Sequence, residues 1–261
     1  MSKVLDGSSI LVTGASSGIG EELVRRLSSF SATIHATARS ADKLAALSAE
    51  TGCVTHALDM VDREAMETLV IQADPDVVVC NAGSNFGGSI GNASEAEIDD
   101  LVELNLSSVL HLIRLALPGM KRRNHGHIVF VGSIAGHHAL TGGNAVYHAT
   151  KAGIRAISDQ LRVDLCGYRI RVTEIAPGRT RTAIFAKTIG DAAKAERGYF
   201  DGYEVLEPAD VADIICYALA APAHVNIGHI ELTPTLQVIG GLKTVRLDQA
   251  MTATSEKETG Q

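Results

Sequence analysis

Apolar residues recur along this 261-residue chain with two alternating periods. One set forms short runs rich in Val and Ile: SSILVTG, ATIHATA, CVTHALD, DVVVCNAG, HGHIVFVGS, IRVTEIAPG and HIELTPT. These are too short for helices, and most are bounded by glycine, proline or small polar residues, so they predict strands. The second set has helical spacing: IGEELVRRLSSF, SADKLAALSAE with Ser40 placed to cap it, and EPADVADIICYALAAP. Further helices are predicted over about 62–72, 98–123 and 145–167. Strands alternating with helices predict an α/β fold: a single Rossmann-like, doubly wound parallel sheet with helices on both faces.

No shift in composition marks a second domain, so a single domain is expected over 1–245, followed by a polar, frayed tail over 246–261. Residues 179–205 differ in texture. They separate a strand from a helix, carry Gly190, Gly198 and Gly202, and predict a long functional or mobile loop.

Composition narrows the function classes. With 46% hydrophobic and 20% charged residues the chain reads as globular rather than disordered. A net charge of -7 with no long basic run argues against a nucleic-acid partner; Lys121, Arg122 and Arg123 suit a helix C-terminus. Cys53, Cys80, Cys166 and Cys216 form no CxxC pair, so neither a disulfide framework nor a zinc site is expected. The first residues lack a signal-peptide pattern and no apolar stretch reads as membrane-spanning, so a cytoplasmic protein without a membrane partner is expected.

The first strand ends in TGASSGIG, with Gly14, Gly18 and Gly20 between a strand and an amphipathic helix. Glycines there allow a tight turn and close approach of backbone to a pyrophosphate, whose charge the helix N-terminus favours. Ser16 and Ser17 add small polar groups to the turn. The second strand ends in TARSADK, with no carboxylate to hold a ribose 2′-hydroxyl and with Arg39 available for a 2′-phosphate. NADP(H) is therefore the expected cofactor, the other reading of Arg39 being a solvated surface residue.

NAVYHATKAG places Tyr147 and Lys151 one helical turn apart. A phenol can donate the proton that a carbonyl needs on reduction, or remove it in the reverse direction. A lysine one turn away is a cation of the right sign to lower the phenol's pKa. Ser133 lies at the C-terminal end of a predicted strand, where ligands of open α/β sheets bind, and its hydroxyl can polarise a carbonyl. The pair alone carries little weight, because a packed tyrosine beside a snorkelling lysine looks the same.

Taken together, TGASSGIG, CNAG, ELNLSS, VGSIAG, YHATK and IAPGRTRT resemble the short-chain dehydrogenase/reductase family from about residue 8 to about 235. The resemblance implies an oxidoreductase acting on CH–OH groups, with Asn105, Ser133, Tyr147 and Lys151 as catalytic residues. It implies cofactor contacts from the first turn (Gly14, Ser16, Ser17, Gly18, Ile19, Gly20), from Arg39 and Asp59, and from Asn81, Ala82 and Gly83. Tyr147, Lys151, Pro177, Gly178 and Thr182 would complete that site. Cys80 stands where the family usually has asparagine, and the Ser133–Tyr147 spacing is one residue longer than usual. LPGMKRRNHGHIVFVGS, GGNAVYHATK and PAHVNIGHIELTPTLQVIGGLKTVR are similar to bacterial NADP-dependent 3-hydroxy acid dehydrogenases acting on serine and allo-threonine, which implies a homotetramer.

For the substrate, Arg179 and Arg181 open the long connection and suit a clamp on an acid group, a cofactor phosphate contact or plain solvation. Lys187 is a further candidate, and His137 and His138 are expected to line the pocket or bind the acid group. No metal is expected there, because no carboxylate or cysteine joins the histidines at ligand spacing in the sequence. The readings are a 3-hydroxy acid or its semialdehyde or keto partner, a small sulfonated aldehyde (sulfoacetaldehyde to isethionate), and, from another class, a non-catalytic NADP(H)-binding sensor or scaffold.

Overall fold

The structure is a computed structural model that describes residues 4–140 and 144–237. Seven strands form one sheet: β1 (Ser9–Thr13), β2 (Thr33–Ala38), β3 (Val54–Ala57), β4 (Val77–Cys80), β5 (Gly126–Val131), β6 (Ile170–Pro177) and β7 (His229–Leu232). Their order is β3-β2-β1-β4-β5-β6-β7 and every pairing is parallel. The order reverses between β1 and β4, so the crevice for a ligand opens beyond the carboxyl ends of those strands. The central strands are buried on both faces; β4 and β5 expose no residue, as a doubly covered parallel sheet requires.

Two apolar layers hold the helices on. On one face α1 (Gly18–Leu27), α2 (Ala41–Thr51) and α9 (Pro208–Ala220) bury Leu23, Leu27, Leu44, Val211, Ile215 and Leu219. On the other face α3 (Arg63–Ala73), α5 (Ser108–Arg123) and α6 (Ala145–Asp164) bury Met66, Leu69, Leu112, Ile113, Met120 and Ile154. Each fully buried leucine or isoleucine contributes about 1.5–3 kcal/mol.

Three sequence expectations change. First, residues 95–123 are one helical run, made of α4 (Glu95–Val102), a π-helical turn (Glu103–Ser107) and α5. By length and composition this run could cross a membrane, although the sequence reading found no such stretch. Here Leu101, Leu112, Ile113 and Met120 face the protein's own core instead. Second, Ser40 occupies the N-cap of α2 but makes no side-chain capping bond. Third, the 179–205 connection is not a plain loop. It contains α7 (Ala183–Ile189), a short helical turn α8 (Ala192–Ala195) and a π-helical turn (Glu196–Phe200). Phe185 packs on Tyr199 and edge-on to Phe200, with ring centroids 4.7 and 5.4 Å apart. Its two ends are pinned together, since Arg181 N donates to Leu206 O and Leu206 N to Arg179 O, both at 2.8 Å. The tail over 246–261 lies outside the described residues.

Candidate active site

A cleft of about 440 Å³ runs along the carboxyl ends of β1, β2, β4, β5 and β6, under the 179–205 excursion. One end is built by the first glycine turn. Gly14 and Gly18 have left-handed φ of 68° and 59°, which L side chains rarely adopt. A Cβ on Gly14 would also lie 2.9 Å from the Ala82 Cα. This close approach brings the β4 exit loop against the β1 turn. Thr13 staples them together: its Oγ1 accepts from the backbone N–H of Asn81 and of Ala82, each at 3.0 Å, and donates to Val79 O at 3.2 Å. Asn81 Nδ2 donates back to Thr13 O at 2.9 Å. Thr13 escapes a motif reading because it looks like an ordinary buried strand residue.

Ser16, Ser17, Ile19, Ala82 and Gly83 line this end of the cleft beside Gly14 and Gly18. Gly20 does not; it allows packing, since a Cβ there would sit 2.5 Å from Asn81 Nδ2. Arg39 and Asp59 line the far end with Ser40. Arg39 is 70% exposed, its nearest acid being Asp59 Oδ2 at 3.7 Å. An open guanidinium and an uncommitted capping hydroxyl at the β2 tip, with no carboxylate on that strand's end, suit a phosphate rather than a ribose diol. The donor set therefore fits a dinucleotide bearing a 2′-phosphate.

The other end collects Ser133, Tyr147 and Lys151. Ser133 follows β5 and caps a 3-10 turn (Ile134–Gly136), its Oγ accepting from Ala135 N at 3.1 Å. Asn144 caps α6, accepting from Val146 N at 2.8 Å, and its Nδ2 donates to Phe86 O at 3.1 Å. That cap sets where Tyr147, in the first turn, points. Asn144 lines the cleft and was missed in the sequence, although an asparagine before a helix is a readable signal.

Burial raises the Tyr147 phenol above its usual value, while a hydrogen bond with the Ser133 side chain acts in the opposite sense. Burial pulls Lys151 down to about 8, against the attraction of the Glu174 and Cys80 side chains. Lys151 Nζ donates to Val131 O at 2.9 Å and lies 5.8 Å from the Tyr147 ring centre. The expected lowering of the phenol is thus outweighed by burial. Burial also raises the Cys80 thiol to about 12, so it is a small packed residue.

Asn105 lies in the π-helical turn and does not line the cleft. Its Oδ1 accepts from Ser84 N at 2.9 Å; its Nδ2 donates to Ser84 O at 3.0 Å and to Thr150 Oγ1 at 3.3 Å. It clamps the β4 exit loop to α6.

Pro177, Gly178, Arg179 and Thr182 close the cleft from the β6 side. The two arginines part company here. Arg179 lines the cleft, its guanidinium 4.7 Å from the Tyr203 ring centre and donating to Tyr199 O at 3.1 Å. Arg181 does not line it; Glu196 and Glu207 hold its guanidinium against the Phe200 ring. Arg181 as a substrate residue is therefore corrected. His137 and His138 also lie outside the cleft lining, because the carboxylates of Glu174 and Glu231 draw them behind it at 3.0 and 2.8 Å. The premise that no carboxylate joins these histidines fails with them. His148, Phe185, Tyr199 and Gln237 line the cleft without having been singled out in the sequence. The side chain of Lys187 and residues 141–143 lie outside the described residues.

Residues 8–192 match the family model described as short chain dehydrogenase. The chain is 37% identical over 249 residues to the NADP-dependent 3-hydroxy acid dehydrogenase YdfG of Escherichia coli (strain K12), covering 91% of this chain and 99% of that one. It is 33% identical over 247 residues to the serine 3-dehydrogenase of Agrobacterium fabrum (strain C58 / ATCC 33970), covering 91% and 98%. The structure superposes with a TM-score of 0.85 on the closed form of a serine dehydrogenase complexed with NADP+. That protein is 36% identical, and the match covers 91% of this chain and 99% of that one.

Proposed function

The chain belongs to the short-chain dehydrogenase family and is an NADP-dependent oxidoreductase, and from this premise we propose that it interconverts a small acid-bearing alcohol with its carbonyl partner. The observation that supports the acid group is Arg179. It is the arginine at the β6 side of the cleft, half-buried, stacked on tyrosine rings and without a carboxylate partner among the described residues. The names of the relatives point the same way, toward 3-hydroxy acids such as serine.

The nicotinamide supplies or accepts the hydride. The protein's own groups handle the proton and the charge. Tyr147 Oη gives its proton to the substrate oxygen as charge develops there. Ser133, whose hydroxyl bonds Tyr147 in the free site, turns its single proton to the same oxygen when substrate is bound and so helps polarise it. Lys151 is still cationic at neutral pH and stabilises the phenolate that remains. Asn105 keeps the Ser84 segment and α6 in register, so its role is positioning.

Because burial raises the phenol above about 10, Tyr147 is protonated throughout the neutral range. Reduction needs that proton, so its kcat/KM should stay flat through neutral pH and fall only in the alkaline range. Oxidation needs the phenolate, so its kcat/KM should rise about tenfold per pH unit from neutral to about pH 8, where Lys151 begins to lose the charge that stabilises the phenolate and the rise should slacken. Initial rates in both directions against pH check this; an oxidative profile already flat at pH 7 contradicts it.

Arg179→Ala tests the acid group. Small aldehydes that differ only in a remote carboxylate, sulfonate or neutral group are compared by NADPH consumption. We expect kcat/KM to drop about tenfold or more for the preferred anion and to change little for the neutral compound. Equal losses on all three would remove the clamp, and a preference for sulfonate over carboxylate would move the substrate to sulfonated aldehydes.

The single domain over 1–245 and the homotetramer are part of the same reading. Sedimentation velocity checks the assembly.

A further inference from the structure

Beside the Ser133 turn, outside the cleft lining, three parts of the chain bring nitrogen and oxygen donors together. Glu174 lies on β6 and its side chain is 3% exposed. A carboxylate this buried has to be hydrogen-bonded, paired or metal-bound. Both of its oxygens face imidazoles: His137 Nε2 is 3.0 Å from Oε1, and His229 Nδ1 is 3.3 Å from Oε2. The two imidazole centres are 4.4 Å apart, and the three donor atoms all lie within 4.8 Å of one another.

Each donor is set by firm backbone. Glu174 and His229 are register partners in the β6–β7 pair. Glu174 N donates to Gly228 O at 3.0 Å, and His137 N to Ile134 O at 3.0 Å. A second carboxylate–imidazole pair, Glu231 with His138 at 2.8 Å, stands alongside; the His138 ring centre is 6.2 Å from that of His137. Tetrahedral zinc takes nitrogen and oxygen ligands at about 2.0–2.2 Å, which sets neighbouring donors about 3.4 Å apart. The separations of 3.0 and 3.3 Å run to different oxygens of Glu174, and with all three donors within 4.8 Å of one another modest shifts of the rings bring them to that spacing. His229, with a side chain 37% exposed, leaves the site an opening to solvent for a fourth ligand.

We propose that His137, Glu174 and His229 form a binding site for a divalent transition-metal ion of the zinc class. Two imidazoles and one carboxylate are donors suited to zinc and its neighbours rather than to magnesium or calcium, which take oxygen. None of the three residues lines the cleft. The ion therefore touches no substrate atom; it reaches the chemistry only through the Glu174 carboxylate, whose charge supports that of Lys151. It ties the turn carrying Ser133 to β6 and to the edge strand β7, and so acts as a structural clip. The site is independent of the substrate assigned to the cleft.

The test uses the full chain, stripped with chelator and titrated with zinc chloride by calorimetry at pH 7.5. One ion per chain is expected, with a rise in Tm. His137→Ala and His229→Ala are each expected to weaken binding by at least the roughly tenfold that loss of an outer hydrogen-bonding partner alone costs a metal site. His229→Asn serves should the alanine variant not fold. His56→Ala is the control, because His35 and His56 form the other close imidazole pair, 3.0 Å apart, with no carboxylate in the contact; binding should be unchanged. Cobalt chloride in place of zinc should give visible absorption that His229→Ala removes. No zinc bound by the wild-type chain would overturn the proposal. So would zinc bound equally by the His137 and His229 variants, which would place the ion elsewhere. In either case the cluster is a hydrogen-bonded carboxylate and nothing more.

Discussion

Tyr147→Phe is expected to lower kcat by about 10²–10⁴-fold, the range that a positioned general acid contributes, while the affinity for NADPH changes little. The substitution removes one hydroxyl and keeps the ring. The lost group is the proton donor of the proposed reaction, and neither of its two neighbours in the site, Ser133 and Lys151, is placed to replace it. Ser133 has an ordinary hydroxyl, already accepting from Ala135 N. Lys151 is held by Val131 O and lies 5.8 Å from the tyrosine ring centre. The fold should persist, because the ring's packing remains and a single neutral hydrogen bond contributes about 0.5–1.5 kcal/mol. Stopped-flow turnover and nicotinamide fluorescence separate the two effects. Turnover within a few-fold of wild type would remove Tyr147 from its role, and lost NADPH binding would make it a cofactor residue first.

Arg39→Ala should weaken NADPH binding by about ten- to a hundredfold, the value of a charge-assisted hydrogen bond of roughly 1.5–3 kcal/mol, and leave NADH nearly unaffected. The reason is the emptiness of the β2 tip. Arg39 is 70% exposed and meets Asp59 only at 3.7 Å, a pair worth little in solvent, so its removal should not move the Tm. Ser40, free of a capping bond, is the second group placed to meet a 2′-phosphate. Dissociation constants for both nucleotides from fluorescence titration decide the matter. An unchanged NADPH to NADH ratio would return Arg39 to the solvent.

Much of the fold was legible because it is written in local periods. Runs such as DVVVCNAG can be buried on both faces only in a covered parallel sheet, and β4 is buried along its whole length. The glycine turn was legible because left-handed φ at Gly14 and Gly18 needs glycine whatever surrounds it. Tyr147 and Lys151 were legible because helical spacing alone puts them on one face. The 179–205 segment was not, because α7 and the turns after it are short and are held by contacts such as Phe185 on Tyr199 rather than by their own pattern.

The sequence by itself determined the order of the elements, the glycine turn, the β2 tip without a carboxylate, and the tyrosine–lysine spacing, since each depends on neighbours within a few residues. Tertiary structure decided everything that depends on distant partners. Arg179 and Arg181 are two residues apart, yet one faces the cleft and the other is held by Glu196 and Glu207. His137 and His138 look like pocket residues until β6 and β7 bring Glu174 and Glu231 to them. The spacing of Tyr147 and Lys151 says that they meet, but burial decides that the phenol keeps its proton and that the ammonium is pulled to about 8. A charge's partner and its solvation are set by what the folded chain packs around it, and chain distance does not encode that.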